Sequence, residues 1–190
     1  MTIYRDAGHC ISRIMSIEAR DGTKKSGWQQ RYQAGGDDEP MSGARGEELT
    51  AEERLAQDSI ARRIVHRVLP PAQWFALMAR YSINEREVEE AIRWLIPRVL
   101  TPAHHLFRTK AVTAWAIPLK PGAVGKKTSR RALPADFYVV AHWDSDGIPE
   151  RTLRHWRQGV NRWLEDQVSA GHKSVGVVLE EAGLLITEAA

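Results

Sequence analysis

The stretch from Gly147 to Leu164 constrains this chain more than any other. At about 100° per residue, Leu153, Trp156, Val160, Trp163 and Leu164 fall on one stripe of a helix. Arg151, His155, Gln158 and Arg162 fall on the opposite face, with Arg154 to one side. A helix with an apolar back and an Arg/His/Gln front suits a DNA major groove, where Arg bridges guanine O6 and N7 and Gln bridges adenine N6 and N7. A surface helix with a solvated basic face is the plainer reading of the same pattern.

The residues before this helix favour the first reading. Gly147-Ile148, Thr152-Leu153 and Trp156 follow the register of the second half of a helix-turn-helix. Residues 135–143 are expected as its first helix, with Ala141 small enough for a close crossing, and Asp144-Ser145-Asp146-Gly147 is a turn by composition. Ala141 lies six residues before Gly147, so the turn must be longer than in the tightest form of the motif.

Charge distribution points the same way. The net charge is +3, yet residues 91–135 carry nine basic side chains and no acidic one. Residues 1–90 are balanced, with 13 basic and 15 acidic side chains. A basic block beside a candidate reading helix is the electrostatic footprint of a polyanion binder; the alternative is a solubilising loop. The chain is 43% hydrophobic and 27% charged, as soluble globular proteins are. No apolar run reaches the roughly 18 residues of a membrane span, and the N-terminus lacks a signal-peptide pattern. The single cysteine, Cys10, excludes an internal disulfide and a cysteine-based zinc cluster. A reducing cytoplasm fits these features.

Five regions are expected. Residues 1–20 form an N-terminal helix, marked by Ala7, Ile11 and Ile14, with Cys10 packed as a small hydrophobe; residues 21–49 form a Gly-rich, charged linker in which Trp28 and Tyr32 are exceptions. Residues 50–117 form a helical bundle. It opens on a Thr50/Glu53 capping box, and Leu55, Ile60, Ile64 and Val68 mark the helix that follows. Pro71, Asn84 and Thr101-Pro102 start three further helices, and Trp74, Trp94 and Trp115 are core candidates. Residues 118–133 form a basic loop. Residues 134–190 hold the helix-turn-helix, to about 168, and a final short helix from Ser174 to Ile186.

Catalytic chemistry has little to stand on. His104-His105, with His142 and Asp144 or Asp146, lack the spacing of a metal site, since adjacent helical residues diverge by about 100°. Asp144, Asp146 and Glu150 are explained by turn and helix-start chemistry. No catalytic residue, metal ligand or cofactor is assigned.

The assembled pattern resembles phage and prophage antitermination Q-like late-gene regulators, loosely, over residues 50–170. The residues that carry it are Trp74-Phe75-Ala76-Leu77-Met78-Ala79-Arg80-Tyr81 and Arg151-Thr152-Leu153-Arg154-His155-Trp156-Arg157, followed by Val160 and Trp163-Leu164. The resemblance implies a sequence-specific double-stranded-DNA binder acting with host RNA polymerase. The cysteines of the zinc finger found in some such proteins are missing.

The expectation is therefore a mostly α-helical, non-enzymatic DNA-binding transcription regulator. Arg151, Arg154, His155 and Gln158 would meet base edges, and Lys126, Lys127, Arg130, Arg131, Arg157 and Arg162 would meet phosphate. Two competitors remain: a small terminase-like packaging subunit, which would be a homo-oligomer, and a protein-interaction module with a basic face. A Mg²⁺-dependent nuclease is a distant further alternative.

Overall fold

A computed structural model describes residues 3–17, 50–119, 133–143 and 147–185. Six α-helices account for most of them. They are α1 (Ala7–Ile14), α2 (Ala51–Val68), α3 (Pro71–Tyr81), α4 (Glu85–Leu95), α5 (His105–Ala116) and α6 (Glu150–Glu181). The fold is mostly α, as expected, and no strand longer than an isolated bridge occurs among the described residues. The linker over 21–49 and most of the basic loop over 118–133 lie outside the described residues.

The chain divides into two compact units. The first joins Met1–Leu69 to Ser174–Ala190, and the second is Pro70–Lys173. In the first unit, the Asp6 carboxylate caps α1 by accepting from the His9 amide at 2.7 Å. Cys10, Ile11, Ile14 and Met15 are buried beneath it. Burial, with the Asp58 carboxylate nearby, pushes the Cys10 thiol up to about 12. Both arms of the capping box at Thr50 and Glu53 are present and open α2.

The residues that mark α2 in the sequence are not the ones it buries. Asp58, Ala61, Val65 and Leu69 face inward, whereas Ile60 is 60% and Val68 56% exposed, with Ile64 at 36%. The cause is ionic. Asp58, fully buried, accepts from the Tyr4 hydroxyl at 2.9 Å and from the Arg13 guanidinium at 3.0 Å. Turning α2 to bury Ile60 and Ile64 would break that pair, which is costlier than leaving two aliphatic side chains wet.

The same unit holds the end of α6. Gly183, at φ +64°, donates to the Glu180 carbonyl, and the Leu184 amide donates back to Leu179. That is a Schellman stop. The Leu184 carbonyl then accepts from the amides of Ile3 and Tyr4. The helix expected from Ser174 is the tail of α6, which runs unbroken from Glu150 to Glu181. No proline interrupts residues 165–173, and Leu164, Val168, Gly171 and Val175 carry the buried stripe through.

In the second unit, α3 and α4 form an antiparallel hairpin, because Phe75 near the start of one stacks on Trp94 near the end of the other at 4.5 Å. Pro71 takes the first turn of α3, and Asn84 caps α4 by accepting from the Arg86 amide. Trp74 and Trp115 are core residues. Trp94 is only half-buried, held between Phe75 and the Arg98 guanidinium, 3.6 Å from its ring centre. Pro97 turns the chain through a short 3-10 segment, Ile96–Arg98. Helix α5 begins three residues later than its Thr-Pro signal suggests, with His104 as the cap.

Candidate nucleic-acid interface

Gly147 adopts φ +74°, the left-handed conformation that a residue with a Cβ resists. Two residues on, the Pro149 carbonyl accepts from the Thr152 and Leu153 amides and starts α6. Leu153, Val160 and Leu164 are buried, so the apolar stripe lies where the periodicity puts it. Trp156 and Trp163 on its flanks are half-buried. Trp156 meets Phe107 edge-on at 5.9 Å, and the Trp115 indole donates to Glu165 at 2.8 Å. These two pairings run α5 and α6 in the same direction.

The first helix expected over 135–143 is absent. Ala135–Tyr138 and Val140–Trp143 are two 3-10 turns, separated at Val139, whose backbone is extended. Tertiary contacts to α5 outweigh the weak helix preference of Phe137-Tyr138-Val139-Val140. The Tyr138 hydroxyl donates to the Ile117 carbonyl, and the Lys110 ammonium to the His142 carbonyl. The Trp143 indole donates back to the Phe137 carbonyl at 2.6 Å, and its ring packs fully buried against Phe107. Ala141, expected at a helix crossing, is exposed. The scaffold behind α6 is thus α5 plus a 3-10 pair rather than the short helix of a helix-turn-helix.

The four residues expected at base edges come together. Arg151, Arg154, His155 and Gln158 are exposed and, with Glu150, line one shallow depression over the first turns of α6. Arg162 is exposed one turn further along the same face. Beyond it, Glu165 and Asp166 are exposed on that side, so the cationic face ends at Arg162. From Glu150 to Arg162 it spans about 18 Å of helix axis.

Other assignments change. Arg157 does not extend into solvent: it is half-buried, with its guanidinium 5.3 Å from the Trp143 ring centre. It clasps the 3-10 pair to α6, at a position the sequence places among the phosphate contacts. Lys126, Lys127, Arg130 and Arg131 lie outside the described residues, as do Asp144 and Asp146. The described part of the basic block is largely engaged within the protein: Arg93 pairs with Glu89 at 2.8 Å, Arg98 covers Trp94 and Lys110 binds a carbonyl. His104 accepts from the Phe107 amide as a helix cap, while His105 is exposed. Among the described residues no three His, Cys, Asp or Glu side chains are placed to hold a metal, and no helix is long and apolar enough to cross a membrane.

Glu150 is the member of the face that the sequence reading assigned only to helix-start chemistry. Its carboxylate accepts from Arg154 Nε at 3.0 Å and Nη2 at 2.7 Å. The Glu-to-Arg spacing of four residues was the available signal. Comparison with protein-family models, known proteins and solved structures finds no match to this chain.

Proposed function

We propose that the chain is a double-stranded-DNA-binding regulator that reads sequence with the first turns of α6. One observation carries this reading: Arg151, Arg154, His155 and Gln158 share an exposed face, backed by buried Leu153, Val160 and Leu164. Side chains on a helix anchored along its back are held rigidly enough to meet base edges, and Arg and Gln supply the bidentate donors that major-groove recognition uses. The exposed ion pair between Glu150 and Arg154 is weak, so a guanine edge competes with it. Arg162, at the end of the face, is the phosphate contact. A phage late-gene role alongside host RNA polymerase is the biological setting proposed with it, on the resemblance of residues 74–81 and 151–164.

The test is fluorescence-anisotropy binding to duplexes tiling the genomic DNA around the gene, at several salt concentrations. One duplex bound roughly a thousandfold more tightly than the rest supports the reading. Uniform binding that weakens steeply with salt leaves phosphate affinity alone and favours the terminase-like alternative. No binding removes the proposal and leaves a protein-interaction face.

A further inference from the structure

Helix α2 carries a second stripe that the protein leaves in water. Ile60 and Ile64 are 60% and 36% exposed, one turn apart, and Val68 follows at 56%. Glu53, Ala56 and Arg67 are exposed as well. On a helical projection Glu53, Ala56, Ile60, Ile64 and Arg67 lie within one sector, its centre about 145° around the helix from that of the buried Asp58, Ala61, Val65 and Leu69. An apolar strip of this kind, rimmed by charge, marks an interaction surface. Burial of Asp58 against Arg13 and Tyr4 sets the rotation of α2 and so keeps the strip outward.

The charges on this strip identify the occupant. Its N-terminal end is acidic, with Glu52 and Glu53, and its C-terminal end is basic, with Arg63 and Arg67. The strip is complementary to its own reverse. We infer that α2 pairs antiparallel with α2 of a second copy of this chain, about a two-fold axis at Ile60. In that register Ile60 meets Ile60, Ile64 packs on the small Ala56, Glu53 faces Arg67, and Glu52 lies opposite Val68. The capping box occupies Oε2 of Glu53, leaving its other carboxylate oxygen for the arginine. An isologous contact of this type closes on itself and stops at a dimer. A single helix pair buries less than the roughly 800 Å² per partner of standard interfaces, which places this dimer among weak, transient associations. The inference is independent of what α6 binds.

The experiment is sedimentation of the full chain over about 1 to 200 µM, which brackets a weak association. A monomer–dimer equilibrium is expected. In Ile60→Asp/Ile64→Asp the dimer dissociation constant should rise at least about tenfold, with the helical circular dichroism signal of the folded chain retained. Geometry is tested separately by Ile60→Cys. Under mild oxidation it should crosslink into a covalent dimer, while Ser59→Cys, exposed but off the strip, should not; the native Cys10 is buried and silent. A monomer throughout the range overturns the inference, as does a dimer indifferent to the double aspartate variant or a failure of Ile60→Cys to crosslink. Monomers whose strip instead captures a synthetic amphipathic helix would assign it to a different protein partner and overturn it equally.

Discussion

Arg13 grips Asp58 through the Nε/Nη2 edge of its guanidinium, with Nε and Nη2 at 3.2 and 3.0 Å from Oδ2 and Nη2 at 2.9 Å from Oδ1. Asp58 is fully buried and the Arg13 side chain is 17% exposed, and the Tyr4 hydroxyl donates to the same carboxylate. Removing one member of such a pair strands the other charge away from water. Asp58→Ala should therefore lower the unfolding free energy by about 3–5 kcal/mol, as measured by urea denaturation. A variant as stable as the parent would show that apolar packing alone holds α1 to α2.

The acid sensitivity of the first unit should have two steps. Burial, with the positive charge of Arg13 nearby, holds His9 below the ordinary histidine value of 6.5. Asp6 is partly buried, which acts to raise it, but the His9 amide and Arg5 outweigh this and hold it below 3.8. In both cases the unfolded chain binds more protons than the folded one, so stability rises with pH. The His9 contribution is complete above pH 6.5 and is lost as pH falls toward its folded value. The Asp6 contribution is lost in the same way below 3.8. Thermal melts between pH 7.5 and pH 3 should fall in both windows, and His9→Gln should flatten the upper one. A midpoint constant from pH 7.5 to 5 would count against this.

Two glycines of α6 should respond to alanine with opposite signs. A Cβ on Gly159 meets nothing within 4 Å, so Gly159→Ala should stabilise by about 0.5–1 kcal/mol through helix preference alone. A Cβ on Gly171 would sit 2.9 Å from Leu77 Cδ1 and 3.1 Å from its Cγ. Leu77 is fully buried and cannot swing away. Overpacking of about 1–3 kcal/mol should outweigh the helix gain. Equal shifts in the two melting temperatures would contradict the close approach of α3 to α6 at this point.

Two tryptophans near the candidate interface should differ in weight. Trp143 is fully buried between Phe107 and Arg157 and donates to the Phe137 carbonyl, whereas Trp156 is half-buried. Trp143→Ala should cost about 3–5 kcal/mol, and Trp156→Ala distinctly less. Arg157→Ala should remove a cation–π contact of about 0.5–2 kcal/mol and leave the salt dependence of DNA binding unchanged. A lower salt slope in Arg157→Ala would return this residue to the phosphate contacts.

On the reading face, Arg154→Ala should reduce discrimination among duplexes by about 1–3 kcal/mol. Arg162→Ala should weaken all duplexes alike and lower the salt slope by about one. Glu150→Gln, which frees Arg154 from its carboxylate, should tighten binding. Identical profiles for the Arg154 and Arg162 variants in anisotropy titrations would refute the division between base and phosphate contacts.

Local chemistry was legible in the sequence wherever neighbours along the chain decide the outcome. The capping box at Thr50 and Glu53, Pro71 at the start of α3 and the exposed face of α6 all rest on contacts within about four residues. What was not legible depends on residues far apart. The rotation of α2 is set by Tyr4 and Arg13, some fifty residues from Asp58. Residues 135–143 lost their helix to contacts with Phe107, Lys110 and Ile117 on and after α5. Arg157 looked solvent-bound because Trp143, its stacking partner, sits outside the periodicity of α6. The final helix expected from Ser174 joins α6 because residues 169–173 hold nothing that stops a helix.

The junction of Ile3 and Tyr4 with Leu184 also sets an order of assembly. Both amides donate to a carbonyl about 180 residues later in the chain, and the Tyr4–Leu185 bridge lies beside them. The first unit is therefore discontinuous, with all of Pro70–Lys173 inserted between its parts. On the ribosome, α1 and α2 emerge before Leu184, so the contact that closes this junction must wait for it. Folding of the inserted unit shortens the effective loop that this closure must span. Ile3 and Tyr4 are thus secured only after Leu184 has been made, long after their own synthesis.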